Sequence, residues 1–297
     1  MPLPHALSLA KQNPDCVGPS STPLASNNKK INNSRRANDR GSSRKKAEDH
    51  NAQKSTLRAK SDRKKPSWLK RMTKKLIKYL ALIVIVVCLT PVLLTFIYAS
   101  HSVHPASTLM MGRWIVGQEV RRNWVPLDQI SPHVYQSVIS SEDGQFCAHK
   151  GVDWAAVNLV VDDLIDGERP RGASTIPMQT VKNIYLWPSR SYIRKILEVP
   201  LALLTDFVWS KRRMMEIYLN IAEWGPGIFG IEAAAQHHFK RSAKKLTRRQ
   251  AALLAVTLPN PHLRNPARPK RGLRRLARVV EKRARQSGAY VKCLRQN

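Results

Sequence analysis

Cysteine is scarce in this chain of 297 residues, and its four positions form no pattern typical of a site. The spacing of Cys16, Cys88, Cys147 and Cys293 matches neither a metal site nor the dense framework of a small disulfide-rich domain. We therefore interpret the four residues as incidental. A disulfide between Cys147 and Cys293 stays open as the less favoured alternative.

Negative charge is scarce as well. The chain has 51 Lys and Arg residues against 20 Asp and Glu residues, so its formal net charge is +31. This excess predicts an anionic partner, and nucleic acid, lipid head groups and a phosphorylated substrate are all consistent with it. Hydrophobic residues make up 42% of the chain, which is enough for the core of one medium-sized domain.

Aromatic residues are missing from the N-terminal arm, residues 1–67, which is rich in Ser, Asn, Lys and Arg. Such a composition cannot bury enough apolar surface to offset the entropy lost on ordering, so we predict a disordered basic arm. Any contact of the arm with RNA or DNA would be nonspecific, because rings that could stack on bases are lacking. We predict no specific nucleic-acid partner.

Charged residues are absent between Tyr79 and Ser100. This run is long enough for a helix to cross a hydrocarbon layer of about 30 Å, even with Pro91 inside it. A cleaved signal peptide is the alternative, but a long polar segment precedes the run, and the run exceeds the usual signal core. The basic segment 68–78 predicts a cytoplasmic N-terminus and places residues 101–297 on the other side.

Sustained alternation of polar and apolar residues is also lacking, so the sequence predicts no sheet. Apolar residues recur at helical spacing in six stretches, and the predicted fold class is mainly α. The stretches are VYQSVISS, WAAVNLVVDDLI, IRKILEVPLALLTDFVW, KRRMMEIYLNIAEW, IEAAAQHHF and RRQAALLAVTL. Residues 271–297 are predicted to form a basic helix or tail. This segment could contact anionic lipid head groups or simply be solvated, and the sequence favours neither interpretation.

The segment SEDGQFCAHKGVD contains side chains suited to a pocket. If its first part is helical, Glu142, Phe146 and His149 lie at positions i, i+4 and i+7 of one face. A carboxylate and an imidazole beside an aromatic ring then suggest a site. The plainer alternative is a helix end that carries surface charges, and the segment taken alone favours that alternative.

The segment RGASTIPMQTVKN is consistent with either a phosphate-binding loop or a solvated helix. Ser174 or Thr175 can cap a helix whose first turn accommodates Pro177. The helix would then place four polar residues on one face, namely Thr175, Gln179, Lys182 and Asn183.

In SYIRKILEVPLA, Arg194 and Glu198 have the i, i+4 spacing of an ion pair, and Lys195 adds a second cation. An exposed ion pair is the plainer interpretation of this spacing.

Taken in order, six blocks of the sequence resemble the peptidoglycan glycosyltransferases of family 51, in particular the monofunctional biosynthetic ones. The resemblance runs from about Trp124 to Pro269. The blocks are VPLDQISPHVYQSVISSEDGQFCAHKGVDW, GASTIPMQTVKN, RKILE, KRRMMEIYLN, GPGIFGIEAAAQHHF and AALLAVTLPNPHLRNP. The chain departs from the family pattern at Ala173, Pro177 and Met178. Nothing resembling a transpeptidase follows, so we expect a monofunctional enzyme.

The resemblance implies a mainly α, lysozyme-like glycosyltransferase domain with two lobes, of which the smaller dips into the membrane. This domain would occupy residues 101–270, after the arm (1–67), the juxtamembrane segment (68–78) and a single transmembrane helix (79–100). The enzyme is expected in the bacterial inner membrane, with its catalytic domain in the periplasm.

The implied reaction is cell-wall glycan polymerisation. The growing chain passes from its undecaprenyl diphosphate to the 4-hydroxyl of lipid II, with inversion and release of undecaprenyl diphosphate. Lipid II and the nascent glycan chain are the expected partners, with anionic membrane lipids, and proteins of cell-wall synthesis or division are a further option. No organic cofactor is expected, whereas a divalent cation, Mg²⁺ or Mn²⁺, is left open.

The resemblance also assigns roles to residues. Glu142 and Glu198 are the expected catalytic carboxylates, and Glu142 is the base, with a pKa raised by desolvation beside Phe146. Glu198 would hold nearby cations in place or bind a divalent ion. Lys182, Arg194 and Lys195 are expected to stabilise the leaving diphosphate. Substrate binding is assigned to Asp143, Phe146, His149, Thr175, Gln179, Lys182, Asn183, Arg194 and Lys195.

A muramidase that hydrolyses the same polymer is the main alternative, since two carboxylates on a lysozyme-like fold suit that reaction. The cationic cluster argues against it, because hydrolysis of an uncharged glycoside does not require cations around a diphosphate.

Overall fold

The computed structural model describes residues 50–51, 53–54, 67–168, 172–189 and 191–295. Contacts divide the chain into two compact units, 1–72 and 73–297, and the second contains every residue predicted for the site. In the first unit, the few residues that are described are helical. The predicted disordered arm, 1–67, lies almost entirely outside the described residues.

The first long helix, α1, spans Ser67–Tyr98. Its segment Arg71–Tyr98 is, within the described ranges, the one helix long and apolar enough to cross a membrane. The uncharged run predicted to span the bilayer lies inside this helix from Tyr79 to Tyr98, and its last two residues, Ala99 and Ser100, follow the helix end. The helix begins before the run because the preceding segment has Lys, Arg, Leu and Met, which favour helix, and no Gly.

Residues 99–295 contain ten further helices and three short strands among the positions that are described. The helices are α2 (Thr108–Ile115), α3 (Pro132–Glu142), α4 (Trp154–Ile165), α5 (Ile176–Tyr185), α6 (Tyr192–Val208), α7 (Lys211–Ile221), α8 (Ile231–Phe239), α9 (Arg248–Ala255), α10 (Arg271–Gln286) and α11 (Lys292–Arg295). Single 3₁₀ turns lie at Leu127–Gln129 and Ala243–Lys245. The prediction of a mainly α fold is confirmed, and α4 and α8 coincide with two of the predicted stretches.

The three strands form one small sheet that the sequence did not predict. Its order is β1 (Arg121–Arg122), β3 (Ile228–Phe229) and β2 (Glu223–Gly225), with β1 parallel and β2 antiparallel to β3. Strands of two or three residues are too short to show alternation. For the same reason, the stretch KRRMMEIYLNIAEW was predicted as one helix, whereas α7 ends at Ile221 and Glu223 begins β2.

Helix α7 lies at the centre of the core, and every residue from Arg213 to Ile221 is buried. A buried ion pair on this helix, between Arg213 and Glu216, holds the segment that follows α1. The guanidinium of Arg213 also donates to the backbone carbonyls of Tyr98, Ser100 and Val103. These contacts satisfy a charge that would otherwise be costly to bury.

Helix α10 packs against α3 and α9 with a narrow face of small and apolar residues. Leu273, Ala277, Val280 and Ala284 are buried on this face, while most of the Arg and Lys side chains are exposed. The buried residues are therefore unavailable to enter a bilayer. Contact with anionic head groups through the exposed basic face stays a prediction.

Cys147 and Cys293 form a disulfide whose Cα atoms are 5.6 Å apart. The interpretation of all four cysteines as incidental is therefore wrong for this pair. The bond joins the loop after α3 to α11 across 146 positions of sequence. Spacing rules could not have found it, since packing of the C-terminal helices brings the two residues together.

The disulfide should stabilise the domain against unfolding. We expect the double variant Cys147→Ser, Cys293→Ser to lose on the order of 4 kcal/mol, because a long loop is then no longer closed in the unfolded chain. For a domain of this size, the melting temperature should fall by roughly 10 °C. Thermal unfolding of the detergent-solubilised protein would measure this. Cys88→Ser, a change at the exposed free cysteine of α1, is the control, and an unchanged melting temperature in the double variant would contradict the prediction.

Candidate active site

Helix α3 delivers Glu142 to the site as its last residue. The next residue, Asp143, has φ −159° and ψ 76°, so the chain leaves the helix there. The prediction that Glu142, Phe146 and His149 share one helical face is therefore wrong. They belong instead to a helix end and the loop that follows it.

The carboxylate of Glu142 is half-buried and has two hydrogen-bond donors. Ser141 Oγ donates to Oε1 at 3.0 Å, and Gln179 Nε2 donates to Oε2 at 3.3 Å. Burial raises the pKa of Glu142, and the two hydrogen bonds and the charge of Arg264 oppose that rise in part. The predicted direction of this pKa is confirmed, and a raised pKa suits a carboxylate that accepts a proton.

Asp143 connects the loop after α3 to the start of α5. Its side chain is almost fully buried, and Oδ2 accepts from the backbone N–H of Ile176 at 2.8 Å. His149 Nε2 lies 2.9 Å from Oδ1 of the same carboxylate. A carboxylate at a helix N-terminus is stabilised by the unpaired N–H groups there. Asp143 and His149 therefore fix the relative position of the two segments that carry Glu142 and Gln179.

Phe146 has no exposed surface and packs in the main hydrophobic core. The ammonium of Lys211 lies 4.8 Å from the centre of its ring, and the same ammonium donates to the carbonyl of His149. In this structure the ring packs behind the loop and is not exposed. The assignment of Phe146 to substrate binding stays a prediction that this burial does not favour.

Thr175 caps α5, as its sequence position predicts. Its hydroxyl accepts from Met178 N and donates to the carbonyl of Gly151 at 2.6 Å, and the residue is buried. Gly151 has φ +80°, and a Cβ there would lie 2.6 Å from the carbonyl oxygen of Ala202. The hydroxyl of Thr175 thus holds a turn that requires glycine. The substrate contact assigned to Thr175 stays a prediction, since both hydrogen bonds of the hydroxyl are made within the protein.

The two departures from the family pattern at the start of α5 fit the fold. Pro177 lies in the first helical turn, where a missing N–H costs nothing. Met178 is buried in a small core cluster with Val152, Val181 and Ala202. Neither residue distorts the helix that carries Gln179.

Helix α5 presents Gln179, Lys182 and Asn183 to a cavity of about 250 Å³. Burial lowers the pKa of Lys182, and the charges of Glu198 and Glu142 oppose that change. Lys182 therefore interacts electrostatically with both predicted catalytic carboxylates. The other residues that line the cavity are Thr108, Leu109, Pro188, Tyr218, Ala222, Glu223, Leu258, Pro259 and Pro261.

The second carboxylate, Glu198 on α6, is almost completely buried and lies between two cations. Arg194 Nη1 donates to Oε1, and Lys195 Nζ donates to Oε2 at 3.0 Å. Arg194 is also held by the carbonyl of Ser189, and Lys195 by the hydroxyl of Ser174 at 2.7 Å. The plainer interpretation, an exposed ion pair, is therefore wrong. Arg194 and Lys195 form a cationic cluster around the buried carboxylate of Glu198.

The described side chains around Glu198 do not form a binding site for a divalent ion. Both oxygens of Glu198 already accept from cationic side chains. In the part of the chain that is described, no group of three or more His, Cys, Asp or Glu side chains is arranged to hold a metal. The role of Glu198 as a metal ligand stays a prediction, and the two oxygens of this side chain do not support it.

Three residues near Glu142 were not predicted from the sequence. Ser141 donates to its carboxylate, Arg264 acts on it by charge, and Tyr218 donates to Gln179. Tyr218 lies in a helix whose apolar spacing predicts only core packing, and Arg264 lies in a Pro-rich loop far along the chain. The resembling blocks contain all three positions, but nothing in their local pattern indicates that they meet.

Two helices of the second unit carry unusually exposed apolar side chains. On α4 these are Trp154, Leu159, Val161 and Ile165, and on α6 they are Tyr192, Ile193, Ile196 and Phe207. Exposed large apolar residues in such number are rare on a soluble surface and mark contact with a membrane or a partner. The predicted contact of a smaller lobe with the membrane stays a prediction for this surface.

Comparisons with known proteins bear on the whole of this domain. The profile of the transglycosylase family matches residues 109–284. A biosynthetic peptidoglycan transglycosylase of Rhizobium leguminosarum is 58% identical over 221 residues, which cover 74% of this chain and 95% of the relative. Proteins of the same description from Brucella suis and Mesorhizobium japonicum are 60% and 61% identical, covering 72% and 70% of this chain and 95% and 89% of the relatives.

Proposed function

The chain belongs to the transglycosylase family and polymerises the glycan strands of peptidoglycan; from this premise we propose how its site performs the reaction. The donor is the growing glycan chain on undecaprenyl diphosphate. The acceptor is the 4-hydroxyl of lipid II. Glu142 is the base, and the cluster of Lys182, Arg194 and Lys195 stabilises the leaving diphosphate.

The observation that carries this proposal is the set of contacts that helix α5 and the segment just before it make with both carboxylate groups. Gln179 donates to Glu142 at 3.3 Å and lines one cavity with Lys182. Ser174, just before the helix, accepts from Lys195, which also donates to Glu198. The basic carboxylate and the cationic cluster are thus parts of one site. Polymerisation requires both, since a proton must leave the acceptor while negative charge develops on the diphosphate.

Glu142 takes the proton of the acceptor hydroxyl as its oxygen attacks the anomeric carbon of the donor. Its carboxylate is ionised before the step and neutral after it. Because burial already disfavours its charged form, proton transfer to it is easier than to a solvated glutamate. The attack occurs opposite the diphosphate, so an α-linked donor gives a β-linked product without a covalent glycosyl-enzyme.

The bond between the anomeric carbon and the diphosphate oxygen breaks in the same step, and its electron pair stays on the diphosphate. Arg194 can hold phosphate oxygens with a forked contact, and Lys182 and Lys195 add point charges. Glu198 is buried between Arg194 and Lys195, so it fixes their positions. Asn183 lines the same cavity as Lys182, which supports a role for it in positioning the substrate.

Helix α1 supports attachment of the enzyme to a membrane, where both substrates keep their lipid tails. We place it in the inner membrane with the N-terminus in the cytoplasm and the catalytic domain in the periplasm. Residues 1–78 contain 20 Lys and Arg residues against 5 Asp and Glu residues, which favours this orientation. The Cys147–Cys293 disulfide also favours an oxidising compartment such as the periplasm.

The proposal is tested with purified full-length protein and labelled lipid II in detergent. We expect long glycan strands and released undecaprenyl diphosphate, both detected by separation of labelled products. The same protein is incubated with preformed strands as a control for hydrolysis. Shortening of those strands without polymerisation of lipid II would identify a muramidase and overturn the proposal.

A further inference from the structure

We propose that Tyr218 is a positioning residue of the reaction, whose hydroxyl fixes the amide of Gln179 so that its N–H points at Glu142. This inference rests on the proposed function, because it takes Glu142 as the base. It adds a residue that acts on the base through the side chain of Gln179. Gln179 stabilises the base only when its amide NH₂ faces Glu142, and Tyr218 on α7 fixes that orientation.

Three helices contribute one side chain each to a hydrogen-bonded chain. Tyr218 Oη on α7 donates to Oε1 of Gln179 on α5 at 3.0 Å. Gln179 Nε2 donates to Oε2 of Glu142 at the end of α3 at 3.3 Å. Tyr218 is only 1% exposed, so its hydrogen bond to Gln179 is largely shielded from bulk water.

The direction of both hydrogen bonds follows from the groups themselves. An ionised carboxylate accepts but does not donate, so Gln179 must turn its NH₂ group toward Glu142. The amide oxygen then faces Tyr218, which donates its proton to that oxygen. Burial raises the pKa of Tyr218 well above its ordinary range, so the hydroxyl keeps this proton.

Reversal of the amide would break this arrangement at both ends. Its oxygen would face the carboxylate of Glu142, and its NH₂ group would face Tyr218. The hydroxyl proton of Tyr218 would then need another acceptor. Within the described residues, Gln179 is the hydrogen-bond partner of that hydroxyl, and a buried donor without a partner is costly. Tyr218 therefore selects the amide orientation that stabilises ionised Glu142.

Several other groups face Glu142, but they do not replace this contact. The charges of Lys182 and Arg264 favour the ionised carboxylate, the charge of Asp143 opposes it, and Ser141 donates to its other oxygen. None of these side chains has an amide that can present either an acceptor or a donor. Gln179 has one, so its effect on Glu142 depends on Tyr218.

Tyr218→Phe removes the hydroxyl and keeps the ring that packs in the core. We expect kcat for lipid II polymerisation to fall about 10-fold, with KM changed less than about twofold. The acidic limb of the kcat profile against pH should move up by roughly half a pH unit or more. The sign follows because the base works only when ionised, and loss of a fixed N–H donor raises the pKa of Glu142.

Tyr185→Phe is the matched control. It removes the hydroxyl of a second tyrosine, which is partly buried and bonds Thr95 Oγ1 at 2.9 Å, and no hydrogen bond among the described residues joins it to Glu142. This variant reports the general effect of losing such a hydrogen bond. Its acidic limb should stay in place, even if its melting temperature falls as much as that of Tyr218→Phe.

Gln179→Leu tests whether Tyr218 acts through the amide. On that background, adding Tyr218→Phe should change neither kcat nor the acidic limb further. Fully additive effects, or a single Tyr218→Phe variant that behaves like Tyr185→Phe, would overturn the inference. Glu142→Gln separates the two levels: if it still polymerises, the base itself is misassigned, whereas if it is inactive, a failure at Tyr218 concerns only the positioning role.

Discussion

Glu142→Gln is expected to lower the rate of lipid II polymerisation by about 10³-fold. The substitution keeps the shape of the side chain and removes its ability to accept a proton. The new amide oxygen can still accept from Gln179 Nε2, and the new NH₂ group then donates to Ser141 Oγ, which reverses the direction of that hydrogen bond. Binding of lipid II should be nearly unchanged, since the cationic cluster stays in place.

Glycan strands formed from labelled lipid II measure this effect, and a direct binding assay measures the affinity. Glu119→Gln is the matched control, because that glutamate is exposed and contacts only Arg121 among the described residues. We expect the control to polymerise at the wild-type rate. Polymerisation by a folded Glu142→Gln variant within about threefold of wild type would rule out Glu142 as the base.

The wild-type pH profile should carry the signature of the same carboxylate. Burial raises the pKa of Glu142 above that of a solvated glutamate. The base is active when ionised, so activity should be lost as the pH falls through this raised value. The acidic limb therefore lies at higher pH than a solvated glutamate would give, and the Glu142→Gln variant should lack that limb in its residual activity.

The helices of this fold were largely predictable from residue spacing, and the reason is local. In WAAVNLVVDDLI and IEAAAQHHF, apolar positions repeat with the period of a helix, and the structure has α4 and α8 over the same residues. Residue types at helix starts were equally informative, since Thr175 caps α5 as predicted. Such features depend on neighbours within one or two turns of the chain.

Features that depend on contacts between distant segments were not predictable in this way. The Cys147–Cys293 disulfide forms because α10 packs on α3, and no local rule indicates it. Phe146 was predicted to lie beside Glu142 in the site. The helix ends at Glu142, however, and in the loop that follows the ring of Phe146 is buried in the core. Tyr218 looked like core, yet its hydroxyl reaches Gln179.

The resemblance to a family supplied residue roles that spacing alone could not give, and the structure refined them. Gln179, which donates to Glu142, lines one cavity with Lys182, an arrangement consistent with the roles that the resemblance implies. Thr175 and Phe146, in contrast, are placed where they support the backbone. A residue can thus belong to a family motif because it holds the motif in shape, and only burial and hydrogen bonds distinguish that role from substrate contact.

Glu198→Gln should lower kcat by about 10²-fold, less than the change at Glu142. The glutamine keeps one oxygen for a hydrogen bond, but it leaves Arg194 and Lys195 without a counter-charge. Their mutual repulsion, and that with Lys182, should move them away from the positions they occupy around Glu198. The diphosphate would then meet a disordered cluster, so kcat falls because leaving-group charge is less well stabilised.

The matched control is Glu216→Gln, which breaks another buried ion pair, with Arg213, away from the site. Both variants should lose stability, because each leaves buried cations uncompensated. Only Glu198→Gln should lose turnover per folded molecule. The polymerisation rate is therefore divided by the amount of folded protein, which thermal unfolding measures. Equal specific activity in the two variants would show that Glu198 matters for folding alone.

The cluster itself can be tested by adding Arg194→Gln to the Glu198→Gln variant. If Glu198 acts by holding Arg194, the second change should cost much less than it does in wild type, because Arg194 is already misplaced. Raising Mg²⁺ or Mn²⁺ should not rescue Glu198→Gln more than wild type, since its oxygens serve the two cations. A metal response that is lost in Glu198→Gln would contradict this and identify the carboxylate as a ligand.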